Sequence, residues 1–230
     1  MPQPSATCPT CGQVPLENIT VYSRALRKQT FAISPILPTC NSCGMEVEVT
    51  GHTQGARILL LNGTCGSGKS ATAEELVKNH GFMAIDSDCT RQVIKHKLGI
   101  EHVAFDSIEM HEEIGREIDI LSTYTRDIVL SHVVMPADIA KYKGLFESKG
   151  MKYRIILLRP SYETALSRTK TRTCHTSITP EEWVRYFYDS LVFDDMEVLD
   201  NSHMTVAEAA RVIVQSPLRQ KAQNPGQGDG

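Results

Sequence analysis

The sequence predicts an α/β fold, a parallel sheet covered by helices on both faces, preceded by a small β module held together by cysteines. Three observations carry this expectation. From Arg57 to about Gln215, short apolar runs alternate with amphipathic stretches. The runs are continuous rather than alternating, as strands buried on both faces require. Two Cys-x-x-C pairs, Cys8/Cys11 and Cys40/Cys43, fall within the first 52 residues. The expected division is a cysteine module at 1–52, a linker at 53–56, the α/β domain at 57–215 and a disordered tail at 216–230.

Each element has its own signal. Ile58-Leu59-Leu60-Leu61 reads as the first strand, and Ala73, Leu76 and Val77 recur after it at helical spacing. Phe82-Met83-Ala84-Ile85 reads as the second strand. Ile114, Ile118 and Leu121 stripe a helix expected to start at Asp106, with Glu109 as its capping-box partner. The third strand runs from Ile128 through Val134, and Tyr153–Leu158 forms the fourth. Thr179-Pro180-Glu181-Glu182 carries an N-cap, a proline at the first helical position and a capping glutamate. Glu197-Val198-Leu199 makes a short fifth strand. Thr205-Val206-Ala207-Glu208 then repeats the capping box, with Ala209, Ala210 and Ile213 on one face.

Composition excludes several classes. A formal net charge of -3 provides no global attraction to nucleic acid or anionic membrane. No stretch approaches the roughly 18 apolar residues that span a bilayer. Met1-Pro2-Gln3-Pro4-Ser5 lacks the basic and apolar regions of a secretory signal, so a cytoplasmic location is expected. In a reducing compartment, paired cysteines point to metal before disulfides.

Gly63-Thr64-Cys65-Gly66-Ser67-Gly68-Lys69-Ser70 matches the phosphate-binding pattern G-x-x-x-x-G-K-[ST]. Its glycines let successive backbone N–H groups turn onto one anion, and the following helix adds its positive end. Lys69 would reach the β- and γ-phosphates, and Ser70 would ligate Mg²⁺. Cys65 reads as a small filler within that loop. The motif sits after an apolar strand and before a helical pattern, where its mechanism needs it. ATP and Mg²⁺ are therefore the expected ligands.

Asp86-Ser87-Asp88 stands at the end of the second strand, with Arg91 three residues on. Strand carboxyl ends border the γ-phosphate in such sheets, so these groups should face an acceptor. Transfer to an alcohol needs a proton acceptor and a metal site, and two aspartates can divide those tasks. The competing reading is that one of them caps the next helix. Arg168 and Arg172, four apart, share a helix face.

On these motifs the region from about Arg57 to Gln215 resembles the small P-loop kinases, including chloramphenicol phosphotransferase, shikimate kinase, gluconate kinase and adenylylsulfate kinase. The resemblance implies a five-stranded parallel sheet of order 2-3-1-4-5. In chloramphenicol phosphotransferase an Asp-Ser pair follows the second strand and its aspartate is the base, which Asp86-Ser87 matches. In shikimate kinase-like members the second aspartate holds the acceptor hydroxyl, which carries over to Asp88. Which of the two is the base stays open. The resemblance places Arg168 and Arg172 at a lid over the phosphates, and Asn201 and Ser202 beside the adenine.

The departures are informative. The third strand offers no Walker B carboxylate, which favours a small kinase over a motor ATPase. The substrate motifs of shikimate kinase and gluconate kinase are missing, so the acceptor is unassigned. His96, His102 and His111 read as surface residues.

Cys8-Pro9-Thr10-Cys11-Gly12 and Cys40-Asn41-Ser42-Cys43-Gly44 are near-identical knuckles. Ile19/Val21 and Phe31/Ile33 alternate at strand period between them, and Val47/Val49 follow. A four-thiolate Zn²⁺ site fits, and the pattern resembles a zinc ribbon. With all four sulfurs engaged its role is structural or recognitive. Arg24, Arg27 and Lys28 read as an ordinary solvated hairpin.

The expectation is an ATP-dependent kinase that moves the γ-phosphate to a hydroxyl of a small molecule of antibiotic, sugar or nucleotide type. The alternatives are a polynucleotide or RNA kinase with the ribbon as nucleic-acid reader, and an ATP-sensing module without phosphotransfer.

Overall fold

In the computed structural model, the structure describes residues 5–21, 38–50, 55–171, 179–191 and 196–216. Arg24, Arg27, Lys28, Phe31, Ile33, Arg172 and Cys174, the first two residues of the expected linker and the tail from 217 lie outside the described residues.

The N-terminal segment contributes β1 (Ser5–Cys8), β2 (Gly12–Val14), β3 (Ile19–Val21), β4 (Pro38–Cys40) and β5 (Glu48–Thr50). β1 pairs antiparallel with both β2 and β5, and β3 pairs antiparallel with β4. Ala6, Cys8, Ile19, Cys40 and Val47 form its small core.

The remainder contains β6 (Arg57–Asn62), α1 (Lys69–His80), β7 (Met83–Asp86), α2 (Ser87–Leu98), α3 (Ile108–Tyr124) and β8 (Asp127–Ser131). It continues with α4 (Ile139–Ser148), β9 (Lys152–Leu158), α5 (Tyr162–Thr171), α6 (Glu181–Ser190), β10 (Glu197–Leu199) and α7 (Val206–Gln215). The last five strands lie in the order β7-β8-β6-β9-β10, all parallel. In the domain's own count this is 2-3-1-4-5, as the resemblance implied.

The apolar strand runs are continuous because the sheet is covered on both faces. Ile58 and Leu60 of β6 join Ile85, Ile114, Ile118, Leu121 and Phe146 in one core. Leu59 and Leu61, pointing the other way, join Ala73, Leu76, Val129 and Ile213 in a second. Each face buries a helix layer, so the strand ends that carry the loops are held rigidly.

Three boundaries differ from expectation, each for a local reason. β8 ends at Ser131 instead of running to Val134. Beyond it the Asn62 side chain takes over the ladder, donating to the Val134 carbonyl at 2.8 Å and accepting from its N–H at 3.1 Å. α3 is capped by Ser107, not Asp106, and the Ser107 hydroxyl accepts from the Met110 N–H. α6 begins at Glu181, with Pro180 itself in the N-cap position. The capping box at Thr205 and Glu208 forms as expected. Among the described residues, no helix is long and apolar enough to cross a membrane.

Candidate active site

The loop from Gly63 to Gly68 joins β6 to α1 at the carboxyl edge of the sheet. Its path is set by close packing. Gly66 has φ +79, and a β-carbon there would lie 2.1 Å from the Ala165 carbonyl oxygen of α5. The Thr64 hydroxyl donates to the Val184 carbonyl of α6 at 3.0 Å, and the Asn201 amide donates to the Ser67 carbonyl at 2.9 Å. Helices α5 and α6 and the loop after β10 therefore brace the turn from outside.

Lys69, the first residue of α1, directs its ammonium back over the loop and donates to the carbonyls of Gly63 at 2.6 Å and Thr64 at 3.0 Å. The next residue, Ser70, meets the acid of β7. Its hydroxyl donates to Asp86 Oδ2 at 3.0 Å and lies 3.4 Å from the Ser131 hydroxyl at the end of β8. The register of the sheet makes this meeting, because Asp86 and Ser131 are direct partners across β7 and β8.

Asp86 also caps α2. Its Oδ1 accepts from the N–H groups of Asp88 at 2.9 Å and Cys89 at 3.4 Å. Burial first, and the neighbouring Asp88 charge second, push its pKa up, while Ser70 and the two amides pull the other way. The helix-capping reading of this aspartate is thus met by the same side chain that faces the phosphate loop. Asp88, the second residue of α2, is half exposed and pairs with Arg91 at 3.3 Å.

These groups line a single cavity of about 620 Å³. Of the expected residues, Cys65, Gly66, Gly68, Lys69, Ser70, Asp86, Asp88, Arg91, Arg168 and Asn201 border it. Gly63, Thr64, Ser67 and Ser202 do not. Thr64 and Ser67 are buried behind the loop, and Ser202 accepts from the Ser161 N–H and bonds Asp200. Arg168 donates to the carbonyls of Asn201 at 3.0 Å and Ser202 at 3.4 Å, so it stands at the β10 end of the cavity. Its expected partner Arg172 lies outside the described residues.

Among the wall residues that the sequence reading missed are Ser131, Phe105, Trp183 and Phe187. Ser131 had a signal, as the last polar residue before the third strand ends. The three aromatics had none, since they meet only in the fold. His111 is half-buried against Tyr142 rather than a free surface residue, with ring centroids 5.2 Å apart.

At the other end of the chain, the sulfurs of Cys8, Cys11, Cys40 and Cys43 all lie within 4.8 Å of one another. Cys8 and Cys43 are 3.4 Å apart, and Cys40 and Cys11 4.0 Å. Those spacings are far beyond a disulfide bond and bracket the roughly 3.8 Å edge of a tetrahedron with about 2.3 Å Zn–S bonds. Backbone N–H groups favour the thiolate at the two buried cysteines. The Ser42 N–H foremost holds Cys40 down at about 7; at Cys8 burial pushes the thiol up, but the amides of Cys11 and Thr10 together with the Cys43 and Cys11 sulfurs bring it down. The cluster fits a zinc ribbon.

Comparisons with known proteins agree with the fold. No curated protein matches the sequence. Among solved structures, the tunicamycin resistance protein of Deinococcus radiodurans has a TM-score of 0.57 at 15% identity, covering 69% of this chain and 94% of that one. The APS kinase of Mycobacterium tuberculosis, in complex with AMPPNP and APS, has a TM-score of 0.52 at 14% identity, covering 70% and 97%. A gluconokinase from Sinorhizobium meliloti has a TM-score of 0.50 at 20% identity, covering 69% and 90%. At these identities the likeness is one of fold, and that fold is the P-loop kinase fold. Residues 58–190, more than half of the chain, match the family model described as AAA domain, and the chain belongs to that family.

Proposed function

We propose that the chain transfers the γ-phosphate of ATP to a hydroxyl of a small molecule. One observation carries the reading: the Ser70 hydroxyl, the Asp86 carboxylate and the Ser131 hydroxyl converge beside Lys69 on a cavity that Asp88 and Arg91 also enter. A nucleotide receptor alone has no need of that second acid. The kinase fold of the structural neighbours supports the same reading.

The geometry supports a division of labour between the aspartates. Asp86 has both oxygens committed, one to the α2 amides and one to Ser70. Ser70, Asp86 and Ser131 would hold the Mg²⁺ that accompanies ATP, which supplies charge neutralisation on the phosphates. Asp88, half exposed on the acceptor side, is the residue placed to take the hydroxyl proton. The Arg91 guanidinium, 3.3 Å away, orients that carboxylate. Lys69 swings from the loop carbonyls to the transferring phosphate, and Arg168 closes the donor end near Asn201.

The test is ADP release from MgATP against a panel of hydroxylated compounds, with ADP affinity measured alongside by calorimetry. Asp86→Asn and Asp88→Asn are each expected to lower kcat by about 10² to 10⁴-fold while retaining ADP binding. Lys69→Ala is expected to lose both. Transfer at the wild-type rate by either aspartate variant would refute the assignment.

A further inference from the structure

We propose that the acceptor is an alcohol built on a flat aromatic ring, seated against a wall formed by Phe105, Val133, Trp183 and Phe187. The proposal deepens the phosphotransfer reading and rests on it for the transfer step, but not for the binding of the ring.

The wall is assembled from three places in the chain. Phe105 lies in the connection before α3, Val133 follows β8, and Trp183 and Phe187 stand one turn apart on α6. Phe187 is 8% exposed and packs with Leu157 and Leu191. Phe105 meets it edge-on, with centroids 5.6 Å apart at 78°. The Trp183 ring lies 5.9 Å from Phe187, tilted by 32°. Phe187 is therefore the fixed centre of an aromatic row, in the offset and edge-to-face geometries that such rings favour.

Trp183 is different. It borders the cavity yet is 51% exposed, so about half of this residue is uncovered. An indole in that position gains from stacking a ligand ring on it.

The polar groups argue the same way. Asp86 is engaged by Ser70 and the α2 amides, and Arg168 and Asn201 are engaged at the donor end. Asp88 and Arg91, paired at 3.3 Å, border the same cavity as the apolar wall and offer an anchor for a hydroxyl. A sugar or polyol presents hydroxyls on most faces, and each costs free energy when desolvated without a partner. A flat ring carrying one reactive hydroxyl meets the wall with its face and Asp88 with its edge.

Trp183 is the chain's single tryptophan, so its emission reports on the wall directly. The full chain is titrated, in the presence of MgADP, with thymidine and uridine in one arm, substituted benzyl alcohols in a second, and glucose and gluconate in a third. The expected result is saturable quenching by one or both ring-bearing arms and none by the polyols. With MgATP the compounds that quench should yield phosphorylated product by mass spectrometry. Trp183→Ala, a half-exposed position that folding tolerates, should raise KM for the ring alcohol about tenfold with little change in kcat. Trp183→Phe should restore most of that loss. The arm that quenches tells whether the ring is a nucleobase or a benzenoid group.

Phosphorylation of a polyol with KM unchanged in Trp183→Ala would overturn the proposal. So would an absence of quenching in both ring-bearing arms. Quenching by MgADP that the ring alcohols compete away would assign the wall to adenine and overturn it as well. Saturable quenching without product would uphold the ring subsite and overturn the transfer reading instead.

Discussion

His132, the residue after β8, is 1% exposed, and its Nε2 lies 2.8 Å from the Tyr142 hydroxyl. Burial first, then the charges of Arg91 and Lys69, lower its pKa to about 3. It is therefore neutral in the folded chain where the unfolded chain, titrating near 6.5, takes up a proton. Between those two values the unfolded state binds more protons, so this group makes stability rise with pH and fall on acidification. Asp86, with its pKa pushed up, contributes the opposite sign, because there the folded state holds its proton longer. His132→Gln should flatten the acid limb, by up to about 1.4 kcal/mol per pH unit relative to wild type. Urea denaturation at a series of pH values checks this, and an unchanged slope would rule out the assignment. Nothing in the sequence marked His132, whereas Lys69, Ser70 and Asp86 were legible. Their chemistry requires given residue types at fixed spacing. A buried histidine acquires its meaning only from the helix that covers it.

Elements were legible to the extent that their signals are local. The box at Thr205 and Glu208 closes within four residues and formed as read. The end of β8 did not, because Asn62, on another strand, replaces its ladder bonds. A longer-range case is Arg154 on β9, which is 9% exposed. It donates to both carboxylate oxygens of Glu197 on β10, at 2.7 and 2.8 Å, and to the carbonyls of Ile213 at 2.6 Å and Ser216 at 3.0 Å. One guanidinium thus ties the short edge strand and the end of α7 to the sheet. Arg154→Met should cost about 2 kcal/mol, since Glu197 can regain water but the Ile213 carbonyl loses its side-chain donor. The loop after β10 carries Asn201, which braces the phosphate loop at Ser67. ATP affinity should therefore fall along with the denaturation midpoint. Hydrogen exchange should accelerate across 197–216 and not in α2 or α3. Uniform acceleration would mean that Arg154 serves the whole core and not this edge.

The whole molecule joins two kinds of stability. The α/β part has cores on both faces of its sheet, whereas among the described residues the cysteine part has a core of five buried residues, two of them cysteines of the four-thiol cluster. So small a core leaves metal binding to supply most of the folding free energy there, about 10 kcal/mol or more. The two parts touch where Val49 of β5 packs against the larger core and Tyr124 of α3 packs against the smaller one. Purified protein is expected to carry one zinc per chain by elemental analysis. Chelation should raise the titre of reactive thiols by four, melt β1 to β5, and expose the Tyr124 ring. ATP binding should survive, because among the described residues no group lining the cavity at the phosphate loop belongs to the cysteine module. Cys40→Ser should reproduce the chelated state at any zinc concentration. Loss of nucleotide binding on chelation would instead make the contact between β5 and α3 the route by which the metal supports the kinase half. Metal-free protein with all four thiols protected would require a different staple altogether.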